Sequence, residues 1–255
     1  MARITAVINQ KGGVGKTTTS MNLAAGLNYR GMRVLLLDMD AQGNSSMTMG
    51  AQKSNYTIMD VLLNRCGIDE AKQSVGINLD IVPGSEELVG ADMNLTEVGK
   101  EYRLKEALEK ITDSYDHVII DTPPALGILT VNALTAADDI IIPTQADLYS
   151  LDAIGKLFGT ISTVRRYTNP NLKISGILIT RYAGHTLISK KLHGMISDVA
   201  DKIGSRVFDT VIKETVSIKE AQAVRKDIYM YDGNSIGAKC YNDFVEEYLR
   251  YVKGE

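Results

Sequence analysis

The chain has little of several things: two cysteines, five prolines, three phenylalanines and no tryptophan in 255 residues. Cys66 and Cys240 stand far apart without metal-ligand spacing, which predicts two reduced, partly buried thiols rather than a disulfide framework or a thiolate metal centre. No apolar run approaches the roughly 18–20 residues of a membrane span. No linker, internal repeat or low-complexity segment interrupts the chain, so residues 1–255 read as a single domain. It opens directly on the strand-like run Ala2–Ile8, and no signal peptide is expected before it. These absences together predict a cytoplasmic protein. A net charge of −3 argues against a general nucleic-acid binder.

What is present is ordinary for a globular chain, 44 % hydrophobic and 23 % charged residues, but its arrangement is regular. Short apolar runs (Ile4–Ile8, Val34–Leu37, Leu79–Val82, His117–Ile120, Asp139–Ile142, Ile174–Ile179, Val207–Ile212) alternate with helical patterns. The helical stretches include Thr18–Tyr29, Glu101–Thr112, Thr130–Ala137, Asp152–Tyr167, Leu187–Ile203 and Ser235–Val252. Runs apolar on both faces belong in a covered parallel sheet. The alternation predicts an α/β, doubly wound, mainly parallel sheet with helices on both faces. Ala41–Tyr56, rich in Gly, Ser, Asn and Met, is the least regular piece and is expected to form a mobile switch on the ligand side.

Lys-Gly-Gly-Val-Gly-Lys-Thr-Thr at 11–18 lies between the first apolar run and the first helix. Gly12, Gly13 and Gly15 permit left-handed backbone and bring N–H groups close to an anion at a helix start, with Val14 inside the same cradle. Lys16 then falls on the β- and γ-phosphates of a nucleotide, and the Thr17 hydroxyl on Mg²⁺. Thr18 is expected to reach the α-phosphate. The usual pattern has glycine six places before that lysine; Gln10 stands there, and a second lysine, Lys11, precedes the glycine pair. Asp121, closing a buried strand, suits a carboxylate that orients a magnesium-bound water. Asp38 and Asp40 end the second strand two residues apart and share a face if the strand continues, or else cap the turn after it.

The ordered series Asn9–Ala25, Leu37–Asn44, Val118–Pro124, Asn132–Asp138 and Glu220–Gln222 resembles the ParA/Soj branch of the ParA/MinD deviant Walker A P-loop family. That resemblance implies an ATPase using ATP and Mg²⁺. In it Lys11 crosses a dimer interface to the partner's phosphates, so ATP binding drives a sandwich homodimer that hydrolysis ends. It implies that Asp40 orients the attacking water, so that Lys11, Lys16 and Asp40 carry the catalysis, and that Asp38 anchors a switch or contacts magnesium indirectly. The family's Asp-x-Asp-Pro-Gln has Ala41 in place of proline, which loosens the turn after Asp40. Lys213 and Thr215 fall where the family contacts adenine, and Glu214 takes the place of a DNA-contacting arginine.

The resemblance further implies chromosome or plasmid partition, with non-specific binding of double-stranded DNA on the nucleoid and hydrolysis stimulated by a ParB-type centromere-binding protein. Charge supports a DNA surface: Arg181–Lys226 holds nine Lys/Arg against five Asp/Glu, while the rest of the chain holds 19 against 26. Such a sector suits a phosphate backbone, as it does a solvated helix face. The candidates are Lys190, Lys191, Lys202, Arg206, Lys213, Lys219, Arg225 and Lys226. The alternative is a MinD-like membrane-surface ATPase, but the mixed-charge tail Asn242–Glu255 with four acidic residues is repelled by anionic lipid, so no membrane partner is expected. A nitrogenase iron-protein relative needs cluster cysteines that Cys66 and Cys240 do not supply. A bacterial tyrosine kinase, suggested by the C-terminal tyrosines, is disfavoured by Lys11. No DNA-reading extension precedes the first strand, so operator-specific repression is not expected.

Overall fold

The computed structural model describes residues 1–183 and 187–254, the side chains at 148, 187–191 and 193 excepted. Eight strands form one sheet: β1 (Arg3–Val7), β2 (Val34–Asp38), β3 (Gln73–Gly76), β4 (Leu79–Val82), β5 (His117–Asp121), β6 (Asp139–Thr144), β7 (Lys173–Tyr182) and β8 (Val207–Lys213). Their spatial order is β3-β4-β2-β5-β1-β6-β7-β8, and every neighbouring pair is parallel except β3–β4. β1, β2 and β5 are central, and β2 and β5 are buried at every residue. The sequence predicts seven of these strands. β3 escapes because Gln-Ser-Val-Gly is polar and half exposed, and it forms only by pairing back on β4 across a bulge.

Alternation along each strand divides the apolar side chains between two cores. Leu35, Leu37, Val118 and Ile120 join one; Val34, Leu36 and Ile119 join the other. The first is covered by the helices Ile58–Leu62, Arg103–Glu109, Ile128–Ala136, Leu148–Tyr167 and Leu187–Lys202. The second is covered by the helix Lys16–Asn28 and the C-terminal helix Ile236–Lys253. The latter buries Tyr241, Phe244, Val245 and Tyr248, as its helical spacing predicts.

Chain order departs from spatial order at β1. The chain leaves β1 for β2 on one side and later crosses over to β6 on the other, which opens a crevice at the carboxyl ends of the central strands. The register is tight there: Asp121 pairs with Val7 on one side and Asp38 on the other. The Thr122 hydroxyl donates to the Val7 carbonyl at 2.8 Å and fixes where the P-loop begins.

Candidate functional site: a phosphate loop above two buried carboxylates

The loop after β1 is braced from outside. The Asn9 side chain donates to the Pro143 carbonyl (2.7 Å) and accepts from the Lys11 amide (2.9 Å). Thr180 Oγ1 donates to the Val14 carbonyl at 2.7 Å, and Gln145 Nε2 to the Gly13 carbonyl at 3.1 Å. With carbonyls tied outward, the amides are free to line the inside. Gly13 and Gly15 have φ of 75° and 86°, left-handed values that glycine adopts without strain. Gly15 caps the helix Lys16–Asn28 without a side-chain bond, so the first-turn N–H groups stay available to an anion.

These groups open into a cavity of about 470 Å³. Gly12, Gly13, Gly15, Lys16, Thr17, Thr18 and Asp40 line its phosphate end, and Lys213, Glu214, Thr215, Ile218, Gln222 and Tyr241 line the far end. Lys16 is 6 % exposed. Burial lowers its pKa, while Asp121 and Asp40 pull the other way. Its ammonium reaches the Lys11 carbonyl at 3.3 Å. A buried cation with one weak partner is ready for a phosphate.

Asp38 and Asp121 lie beneath this floor, both with no exposed surface. Burial raises the pKa of each, and the neighbouring carboxylate raises that of Asp121 further. Asp121 accepts from Ser20 Oγ at 3.2 Å and from Ser45 Oγ. An oxygen-only set of hydroxyl and carboxylates suits Mg²⁺, which keeps several waters. Thr17 and Asp121, the latter through water, would hold that ion, and its charge would polarise the terminal phosphate. Asp38 accepts instead from the Ser46 amide (2.8 Å) and hydroxyl (2.6 Å), and from the Asp40 amide (3.2 Å). Asp40 is half exposed at the cavity wall, its Oδ1 accepting, among the described residues, only from the Gln42 amide at 3.0 Å. It retains lone pairs for a water.

Lys11 does not line the cavity. It pairs with Asp147, the cap of the helix Leu148–Tyr167, and lies 3.4 Å from Ser150 Oγ. Burial raises the Asp147 pKa, but Lys11 and the Ser150 amide overcome it and the net shift is downward.

The basic candidates divide. Lys213 and Lys219 lie at the nucleotide end, and Arg225 lines a second cavity beside residues 43–57 with Lys226 next to it. Lys202 ends the helix returning from β7, and Arg206 precedes β8 at the opposite end of the sheet, stacked between Phe208 and Tyr251 at 5.0 and 4.9 Å. One continuous patch therefore does not include all of them. The Lys190 and Lys191 side chains lie outside the described residues. Glu214 binds both Arg181 (3.1 Å) and Lys219 (2.9 Å).

Ser20, Ser45 and Ser46 have no role expected from the sequence, and Arg181 and Gln222, whose amide donates to Thr18 Oγ1 at 2.8 Å, figure there only in a charge count and a family landmark. Hydroxyls following strand-end carboxylates were the available signal for the two loop serines. The segment Ala41–Tyr56 is also more ordered than its composition predicts. It contains the helical turn Asn44–Thr48, fastened by those serines.

A glycine loop capping a helix, a buried lysine and a strand-end aspartate define a P-loop nucleoside triphosphatase; the extra lysine before the glycines marks its deviant class. A sequence family described as an AAA domain matches residues 2–174. The sporulation initiation inhibitor protein Soj of Bacillus subtilis is 41 % identical over 97 % of this chain and 98 % of its own. The chromosome partitioning protein ParA of Myxococcus xanthus is 39 % identical, over 98 % of this chain and 89 % of its own. A Mycobacterium smegmatis structure described as cobyrinic acid a,c-diamide synthase, with bound ATP analog and magnesium, superposes with a TM-score of 0.87 at 37 % identity, covering 100 % of this chain and 98 % of that one. The chain belongs to the ParA/Soj branch of the ParA/MinD family of deviant Walker A P-loop ATPases.

Proposed function

We propose that this protein is a partition ATPase that uses Mg²⁺ and ATP as a dimerisation switch. ATP occupies the cavity with its phosphates on residues 12–18, and Lys213 and Thr215 flank the base. Two copies close face to face, each Lys11 entering the other's phosphate site, and Asp40 orients the water that ends the state. The dimer holds double-stranded DNA without sequence preference through Lys213, Lys219, Arg225 and Lys226, and a ParB-type partner accelerates hydrolysis. The whole chain acts as one ATPase domain.

The observation that carries this reading is Lys11. It stands at the lip of a phosphate loop, contributes no side chain to its own cavity, and is held on Asp147 instead. A cation so placed has a use when a second triphosphate arrives from outside. The M. smegmatis structure described as a synthase is likewise similar over its whole length, at somewhat lower identity than Soj and ParA. Full-length similarity to Soj and ParA favours partition. A membrane-surface role is opposed by the C-terminal helix, whose apolar stripe is already spent on the core, and no described helix is long and apolar enough to cross a membrane.

Sedimentation velocity with ATP, ADP or no nucleotide, with and without duplex DNA, tests the proposal. A dimer with ATP alone, and DNA comigration with that dimer alone, are expected. A monomer under ATP saturation refutes the switch.

A further inference from the structure

The loop after Asp40 is fastened to both strand-end carboxylates by adjacent serines. Ser45 is fully buried and donates its hydroxyl to Asp121 Oδ2. Ser46 gives Asp38 its amide and its hydroxyl, and accepts from the Gly84 amide at 3.0 Å. Both lie in the turn Asn44–Thr48, so one helical turn bridges two acids that stand in register on neighbouring strands.

This answers an electrostatic problem. Side-by-side carboxylates without water each need donors or a cation, or one must take a proton. Ser20 supplies a donor to Asp121 from the P-loop helix, which is packed into the second core. Ser45 supplies its donor from a different body. Its segment continues through the exposed Met47 and Gly50 to the wall of the cavity that Arg225 also lines. The two serines also have unequal roles. Ser46 makes two bonds to Asp38 and receives a third from Gly84, whereas Ser45 holds one oxygen of the residue assigned to the metal's water.

We propose that Ser45 is a positioning residue through which the loop 41–56 senses whether Asp121 is committed to a metal-bound water. Asp121 Oδ2 accepts from Ser45. Once Asp121 also accepts from the water shell of a divalent cation, its lone pairs are shared and the Ser45 bond weakens. Ser46 keeps the segment attached at Asp38, so the loop loosens about one fixed point while Asp40, two residues after Asp38 and bonded to it through its amide, keeps its place. The proposal rests on the assignment of Asp121 to the metal, and the test separates the two.

Amide hydrogen exchange across residues 43–52 in ADP-bound protein, with and without Mg²⁺, avoids any dimer. In the parent protein Mg²⁺ is expected to speed exchange there by about fivefold, the loss of one net hydrogen bond. Ser45→Ala should exchange fast in both conditions and lose the Mg²⁺ response, and Ser45→Thr should restore it. A parent protein with no response, or a Ser45→Ala protein that keeps the parent's ratio on top of faster exchange, overturns the proposal: the serine would then be structural only. Calorimetry of ADP binding to Asp121→Asn checks the underlying assignment. Mg²⁺ that still strengthens ADP binding to that variant as in the parent sinks assignment and proposal together. If the strengthening is lost while Ser45→Ala keeps its response, only the role of Ser45 falls.

Discussion

Lys11 and Asp147, 136 positions apart, form an ion pair at the rim of the phosphate loop. The lysine assigned to a partner's nucleotide is thus held by its own chain. A partly exposed pair of this kind contributes about 1 kcal/mol or less, so it delays release of Lys11 without preventing it. Asp147→Asn keeps a good cap on the helix Leu148–Tyr167 while removing the charge. The variant should dimerise at an ATP concentration lower by up to about fivefold. Sedimentation across an ATP series decides; an unchanged or raised threshold removes the restraint.

Asp40 combines half exposure with spare lone pairs beside the cavity. Asp40→Ala should bind ATP within a few-fold of the parent and hydrolyse it about a hundredfold more slowly or worse, the scale of a lost general base. Single-turnover hydrolysis beside calorimetry gives both numbers. Equal rates would leave Asp40 without its task.

Glu214 occupies two cations that otherwise face solvent at the nucleotide end. Glu214→Gln should therefore tighten non-specific DNA binding and steepen its dependence on salt by about one charge. Anisotropy titrations at several salt concentrations, with ATP affinity measured in parallel, read this out. A flatter slope would put the DNA surface elsewhere.

His117 lies buried at the far end of the sheet, with Tyr248 Oη 3.4 Å from Nδ1. Burial, helped by Arg3 and opposed by Asp116, lowers its pKa to about 4. The unfolded chain protonates this imidazole near pH 6.5. The folded state therefore holds its full advantage from this group above about pH 6.5 and loses it as pH falls toward 4, by up to about 3 kcal/mol. Urea unfolding at pH 7.5, 5.5 and 4 should show this decline in the parent and a shallower one in His117→Gln. Parallel declines would acquit the histidine.

Much of the fold was legible because central strands covered on both faces must be apolar throughout, as Val34–Leu37 and Ile119–Ile120 are. β3 was hidden because its pairing, not its composition, makes it a strand. In the site, residues 11–18 were legible because a phosphate loop is one continuous segment with its own backbone demands. Asp121 and Asp38 stood out because each ends an apolar run, whereas the role expected of Asp40 came from the family resemblance. The Ser45–Asp121 bond spans 76 positions and Lys11–Asp147 spans 136. Contacts at that separation are set by how strands align in space, and no local pattern announces them. The basic residues close in sequence do not form one surface, because Arg206 and Lys213 lie at opposite ends of β8.

The bulged, four-residue β3 also governs how copies of this molecule can stack. It closes one margin of the sheet with a short antiparallel ribbon containing a glycine and alternately turned to water. Such a margin offers an incoming backbone almost no ladder to extend. Fibres built by adding strand upon strand are therefore blocked on that side, which leaves β8 as the margin of the sheet with a ladder to offer.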